Sequence, residues 1–151
     1  MNLDIDKRQI GFFYIGQEVE LSEKPICSVG YTIYVRNGVV HGIHVAFSEI
    51  IEYEEFEVIH EGEPHTIVSR TPRLVFKDKV IKEGQVVELS SDSTPEDISG
   101  IFQVPCEYWD DDSCLVMSFT QGDCEFEFHW SLIDQHKKRL DHMLIEAASG
   151  E

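Results

Sequence analysis

The sequence predicts a mainly β protein in which antiparallel sheet is built from hairpins and one amphipathic helix packs on it at the C-terminal end. Apolar and β-branched residues recur at the strand period of two, and turn residues separate the successive runs. After residue 131 the period changes to helical spacing. The hairpin succession fits either a sandwich or a partly open barrel of roughly seven to nine strands.

The 151 residues suit a single domain spanning 1–151. The apolar run from Ile10 to Ile15 predicts the first strand. The clearest hairpin lies between residues 31 and 47, where Asn37 and Gly38 separate two β-branched and aromatic runs. Asn-Gly favours a two-residue hairpin turn because both central positions require positive φ.

A second hairpin is predicted from residues 52–60 and 65–69, with turn residues at 61–64 between them. Residues 73–76 and 79–81 predict a further strand, which turns at Glu83 and Gly84 into residues 85–89. The sequence Ser93-Thr94-Pro95-Glu96-Asp97 predicts a single helical turn, because proline is favoured at the start of a helix and acidic residues in its first turn.

The last predicted hairpin pairs residues 114–120 with residues 124–130 across Gln121-Gly122-Asp123. In its return strand, apolar residues alternate with polar ones, as in a half-buried strand. The C-terminal helix is then predicted over 131–148, with Ser131 and Asp134 capping its start. Its apolar residues at helical spacing are Leu132, Ile133, His136, Leu140, Met143, Leu144 and Ala147.

The charge of the chain is strongly negative, at −17, with 29 acidic and 12 basic residues. No Lys or Arg intervenes between Arg36 and Arg70, or between Lys82 and Lys137. Such a field repels nucleic acids and anionic membranes and attracts cationic partners. We therefore expect a basic protein partner, and neither nucleic acid nor membrane.

Motifs for a reaction are absent from the sequence, which predicts neither enzymatic activity nor a cofactor. His41 and His44 could share a metal only if Gly42 marked a β-bulge, since positions three apart in a strand point to opposite faces. Asp110-Asp111-Asp112 lacks the spacing of a calcium-binding loop. No metal site is predicted, and the thiols are expected to be free because no export signal precedes them. The four cysteines are Cys27, Cys106, Cys114 and Cys124.

The candidate binding residues are two groups of acidic residues with adjacent aromatic side chains. Aromatic anchors beside charge are typical of interfaces that form by electrostatic steering. The predicted partner-binding residues are Glu52, Glu54, Glu55, Glu57, Tyr108, Trp109, Asp110, Asp111 and Asp112.

The preferred hypothesis is a small acidic cytoplasmic binding module that occludes the cationic cleft of a basic protein such as a toxin nuclease. Immunity proteins have this physical character, although no motif links them to the chain; a DNA mimic is a close variant. The alternative is a ligand-binding or enzymatic β-barrel, and a third possibility is acidity that serves solubility alone. The barrel's cavity would be lined by Phe12, Tyr14, Tyr34, Phe126, Phe128 and Trp130.

Overall fold

The computed structural model describes residues 2–20, 26–28, 30–48, 51–72, 75–111, 114–134 and 137–148. These residues form three β-sheets and one short helix. The strands are β1 (Leu3–Asp4), β2 (Gln9–Ile10), β3 (Phe13–Tyr14), β4 (Ile26–Ser28), β5 (Tyr31–Arg36), β6 (Val39–Ala46), β7 (Ile51–His60), β8 (Glu63–Pro72), β9 (Val80–Lys82), β10 (Gln85–Val87), β11 (Glu107–Asp110), β12 (Cys114–Gln121), β13 (Cys124–Asp134) and β14 (Lys137–Ala147), and the helix is α1 (Pro95–Phe102).

The largest sheet has seven antiparallel strands in the order β11-β12-β13-β14-β6-β5-β4. A five-stranded sheet follows the order β10-β9-β1-β2-β3, in which β1 and β9 run parallel and the other pairs antiparallel. The third sheet is the β7–β8 hairpin alone. The mainly antiparallel β fold is thereby confirmed, and neither large sheet closes into a barrel.

The three hairpins predicted from turn chemistry are all present. Asn37 and Gly38 have φ values of 52° and 75°, as the turn between β5 and β6 requires. Glu61 and Gly62 join β7 to β8 with φ values of 52° and 81°. Gly122, with a φ of 64°, lies in the turn between β12 and β13. Local turn residues therefore place these six strands correctly along the chain.

The helix α1 begins where the sequence predicts a helical turn and continues to Phe102. A reciprocal capping box stabilises its start: the Thr94 hydroxyl accepts a hydrogen bond from the Asp97 amide, and the Asp97 carboxylate accepts one from the Thr94 amide. Ile98 and Phe102 are buried in the core. Burial of these two side chains explains why the helix extends beyond one turn.

The predicted C-terminal helix over 131–148 is wrong, because this segment completes β13 and forms β14. The register shifts at the pair His129 and Trp130, which lie opposite His142 and Leu140, so Asp141 is an extra residue on β14. This bulge places Leu140 and Met143 in the core although they are three positions apart. The apolar residues that suggested a helix therefore have the spacing of a strand with a bulge. His136, which was part of the predicted helix, lies outside the described residues.

The hydrophobic core lies on one side of the seven-stranded sheet. Its residues come from that sheet, from α1 and from the five-stranded sheet, where Leu3 and Ile10 are fully buried. Phe102 of α1 packs against Phe119 and Phe126, with ring centroids 4.7 and 5.6 Å away. The opposite side of the seven-stranded sheet faces away from the core and carries most of its polar side chains.

Candidate functional site

The β7–β8 hairpin, called the arm here, carries the first group of predicted binding residues. Glu52, Glu54, Glu55 and Glu57 lie in β7, opposite residues 71, 69, 68 and 66 of β8. Residues 57 and 59–66, the arm tip, are all exposed. Side chains alternate in direction along a strand, so this exposure leaves both faces of the tip in solvent. The arm tip is therefore accessible from either side.

Anionic and apolar groups are combined at the arm tip. Glu57, Glu61 and Glu63 are exposed, and Ile59 exposes 72% of its surface. The imidazole of His60 lies 3.9 Å from the Glu61 carboxylate. Since the sequence of the tip contains neither Lys nor Arg, no basic side chain of the tip itself neutralises these carboxylates.

The second predicted group lies on β11, which forms one edge of the seven-stranded sheet. Tyr108 and Trp109 expose 56% and 57% of their surfaces. They point to opposite sides of the sheet, because Tyr108 lies opposite Met117, a core residue, and Trp109 opposite Val116. The Tyr108 hydroxyl is 3.2 Å from the Ser99 hydroxyl of α1.

The acidic residues after Trp109 are partly engaged within the protein. The Lys138 ammonium donates to the Asp110 carboxylate and to the Asp111 carbonyl, both at 2.6 Å. Asp111 also accepts a hydrogen bond from the Cys114 amide through its side chain. Asp112 lies outside the described residues. The predicted acidic residues therefore lie in two separate groups, one on the arm and one at the edge of the seven-stranded sheet. Part of the edge group helps to form the turn before β12.

A third feature, which sequence analysis missed, is the side of the seven-stranded sheet that faces away from the core. Register pairing defines three rows of side chains across this side, which we call the outer face. The first row is Trp109, Val116, His129, His142 and Ala46; the second is Glu107, Ser118, Glu127, Leu144, His44 and Thr32; the third is Thr120, Glu125, Glu146, Gly42 and Tyr34.

Three histidines stack on one another across the outer face. The ring of His142 lies between those of His129 and His44, with centroids 4.2 and 4.6 Å away. The planes are inclined by 18° and 28°. Burial, together with the adjacent His142 imidazole, lowers the pKa of His129 to about 4. At neutral pH His129 is therefore uncharged.

Carboxylates surround this histidine stack. Glu127 lies two residues before His129, and its carboxylate is 3.7 Å from the His129 imidazole. Burial raises the pKa of Glu127, as do the nearby carboxylates of Glu146 and Glu125, while His142 opposes this shift. The outer face thus concentrates negative charge at a half-buried position.

A cavity of about 470 Å³ opens beside these carboxylates, next to the beginning of β11. Glu125, Glu127, Ser118 and Thr120 line it from the sheet, and Glu107 lines it from the edge strand. Pro105, Cys106 and Phe119 complete the wall. The cavity is large enough for a side chain and is polar on the side formed by the outer face.

The positions of the histidine and cysteine side chains give little support for a metal site or for nucleophilic catalysis. The bulge on which a shared His41 and His44 site depended is present, since the β5–β6 register shifts after Tyr34. Yet the His41 ring packs edge-on against Tyr34, whereas that of His44 stacks on His142. Among the described residues, no group of three His, Cys, Asp or Glu side chains converges to hold a metal. Cys106, Cys114 and Cys124 are free thiols.

The six aromatic residues of the predicted cavity divide between core and surface. Phe126, Phe128 and Trp130 are buried within the core, where Phe126 stacks on Phe119 at a centroid distance of 5.2 Å. Phe12 and Tyr14 expose 83% and 46% of their surfaces. The Tyr34 ring packs against His41 on the other side of the sheet from the core. These six side chains therefore do not line one cavity.

Comparisons with protein-family models, with curated proteins and with solved structures found no match to the chain. In the part of the chain that the structure describes, no helix has the length and apolar character needed to cross a membrane. The site must accordingly be interpreted from its own geometry and charge.

Proposed function

We propose that this protein is an acidic binding module that occludes a basic protein partner, in the manner of an immunity-type inhibitor of a toxin nuclease. It would act in the cytosol and without a cofactor. The exposed arm tip is the observation that carries this proposal, because it offers carboxylates on a hairpin with both faces in solvent. A nuclease cleft that binds phosphate is lined by cations, for which a carboxylate-bearing hairpin is complementary.

The exposed apolar residues support the same function. Ile59 on the arm tip and Trp109 on the sheet edge are both more than half exposed. Buried on contact with a partner, such side chains supply the affinity that exposed charge pairs alone do not. The surrounding carboxylates would then accelerate encounter and set specificity for a basic surface.

A charge-reversal experiment tests the role of the arm. The arm variant carries Glu57→Lys, Glu61→Lys and Glu63→Lys. A control variant carries Glu18→Lys, Glu20→Lys and Glu88→Lys, three exposed positions outside the arm, and so changes the net charge by the same amount. Each protein is immobilised, exposed to lysate from its own source at low and high salt, and the retained proteins are identified and assayed for nuclease activity.

We expect the wild-type protein and the control variant to retain one basic protein stoichiometrically, with an association rate that falls as salt rises. The arm variant should lose it, and the soluble wild-type protein should inhibit the activity of the retained partner. Equal retention by the arm and control variants would overturn the proposal that the arm is the binding site. Retention of only heterogeneous, salt-labile material by all three would indicate that the acidity serves solubility.

A further inference from the structure

The outer face is a sheet surface separate from the arm and is accessible to solvent. Its side chains are half-buried or exposed in all three rows, apart from Ala46, which is buried, and Gly42, which carries none. The cavity beside Glu127 opens at one end of the face, and the half-exposed Trp109 indole lies at the adjacent edge. A docked segment would therefore find an apolar anchor and a polar recess on one continuous surface.

The charge of the outer face is negative at neutral pH. Glu107, Glu125, Glu127 and Glu146 belong to its rows, and none of the row residues is Lys or Arg. Arg36 acts on His41 at the β5 side, and Arg139 pairs with Ser131 on the same side of the sheet, just beyond the first row. This charge is complementary to lysine and arginine side chains.

Protonation changes the charge of every titratable group around the histidine stack in the same direction, toward less negative. From β13 it is faced by Glu125 and Glu127, from β14 by Glu146 and Asp141, and from β11 by Glu107; the row residues of β12 are uncharged. His41 on β6 is subject to burial and to Arg36, which both lower its pKa, while Glu146 raises it. Acidification neutralises carboxylates and adds charge to imidazoles, so both changes make the face less negative.

We propose that the outer face docks a lysine- or arginine-rich protein segment at neutral pH and releases it when the histidine stack takes up protons. This inference rests on the proposed function in one respect, that the partner is basic; it adds a second surface and its regulation. Protonated imidazoles cannot stack face to face without repulsion, so proton uptake would also disturb the side-chain arrangement that shapes the recess.

An oligoarginine peptide is a suitable probe, because it carries the proposed chemistry without a folded partner. Its affinity is measured by calorimetry above pH 6.5 and again near pH 4, the pKa of His129. The face variant carries Glu125→Gln, Glu127→Gln and Glu146→Gln. The matched control carries Glu57→Gln, Glu61→Gln and Glu63→Gln and so removes the same number of carboxylates from the arm tip. A third variant, with His129→Gln and His142→Gln, tests the proton dependence.

We expect the face variant to bind the peptide about tenfold more weakly above pH 6.5, as the loss of three modest charge contacts implies. The histidine variant should bind with wild-type affinity there and lose less affinity on acidification. The indole fluorescence of Trp109 should respond to the peptide, whereas Trp130, buried in the core, should not; a Trp109→Phe variant identifies the source.

The outcomes separate this inference from the proposed function. If the face variant binds like wild type and the arm control is weakened, the outer face is not a docking surface and the arm proposal stands. If only the face variant is weakened, the inference stands and the arm is not the site. Unchanged affinity in both variants would overturn both, and an unchanged pH dependence in the histidine variant would overturn the proton-controlled release.

Discussion

His142 stacks on His129 across β13 and β14, with ring centroids 4.2 Å apart and ring planes inclined by 18°. Both imidazoles lie on the outer face, where the side chain of His129 retains 27% of its exposure. Partial burial and the neighbouring ring disfavour the imidazolium form and place the pKa of His129 at about 4. Between about pH 4 and pH 6.5, the folded protein therefore keeps His129 neutral, whereas the unfolded chain would protonate it.

The first prediction concerns stability between pH 6.5 and pH 4. In this window the unfolded state binds the His129 proton and the folded state does not, so stability falls as pH falls. We expect His129 to account for a loss of at most about 3 kcal/mol across the window. Urea unfolding of the wild-type protein and His129→Gln at several pH values measures the difference.

The control for this prediction is His60→Gln, since His60 lies on the exposed arm tip with 74% of its side chain accessible. It should follow the wild-type pH profile. A His129→Gln variant that loses stability as steeply as wild type would show that another group dominates acid unfolding.

The second prediction concerns Glu127, whose ionisation changes the stability of the fold with pH in the opposite direction. Its raised pKa means that the folded state binds the proton more readily than the unfolded state, so ionised Glu127 destabilises the fold above that pKa. We expect Glu127→Gln to stabilise the protein at neutral pH by a few tenths of a kcal/mol, as like charges across strands imply. The gain should disappear as pH falls and Glu127 protonates.

Thermal unfolding of Glu127→Gln and of Glu88→Gln at matched pH values tests this. Glu88 is exposed outside the outer face, so its variant should show no comparable gain. A Glu127→Gln variant that is less stable than wild type at neutral pH would mean that the carboxylate makes a favourable contact which outweighs its repulsion.

Sequence analysis predicted the features that depend on neighbours along the chain. Asn37 and Gly38 specify a turn by their own tolerance of positive φ, and Thr94 and Asp97 cap a helix through contacts three residues apart. The β14 strand was missed because the extra residue Asp141 changes the apolar spacing from two to three. A single bulge makes strand and helix periods indistinguishable over so short a segment.

The outer face could not be predicted because it depends on register between strands distant in sequence. β6 lies beside β14, about a hundred residues later in the chain, and only this pairing brings His44 next to His142. A signal was nevertheless present: Glu125, Glu127 and His129 alternate with core residues in β13. That alternation predicts a polar face but not which residues of other strands share it.

The third prediction tests the capping box of α1. Removing the hydroxyl in Thr94→Ala leaves the Asp97 amide without its partner and should cost about 1 kcal/mol of stability. Ser retains a hydroxyl in the same position, so Thr94→Ser should be close to wild type. Equal destabilisation by both substitutions, measured by urea unfolding, would show that the Thr94 methyl group and not the cap is responsible.

The fourth prediction compares two glycines that have the same positive φ. Gly30 and Gly62 both have a φ of 81°. A Cβ atom at Gly30 would overlap the backbone of Phe76, whose amide donates a hydrogen bond to the Ala46 carbonyl, whereas one at Gly62 would meet open space. We expect Gly62→Ala to cost about 1 kcal/mol from backbone strain alone.

Gly30→Ala should cost the same strain and in addition force the Phe76 backbone away from β6, with a total loss of at least about 3 kcal/mol. Since Phe76 is buried and packs edge-on against Tyr31 at a centroid distance of 6.5 Å, displacement of its backbone would loosen that part of the core. Urea unfolding of both variants gives the comparison directly. The backbone strain of an alanine is expected to be the same at residues 30 and 62, so any additional loss of stability in Gly30→Ala measures the cost of moving Phe76. Similar losses of stability for the two substitutions would therefore mean that residue 76 can move at little cost.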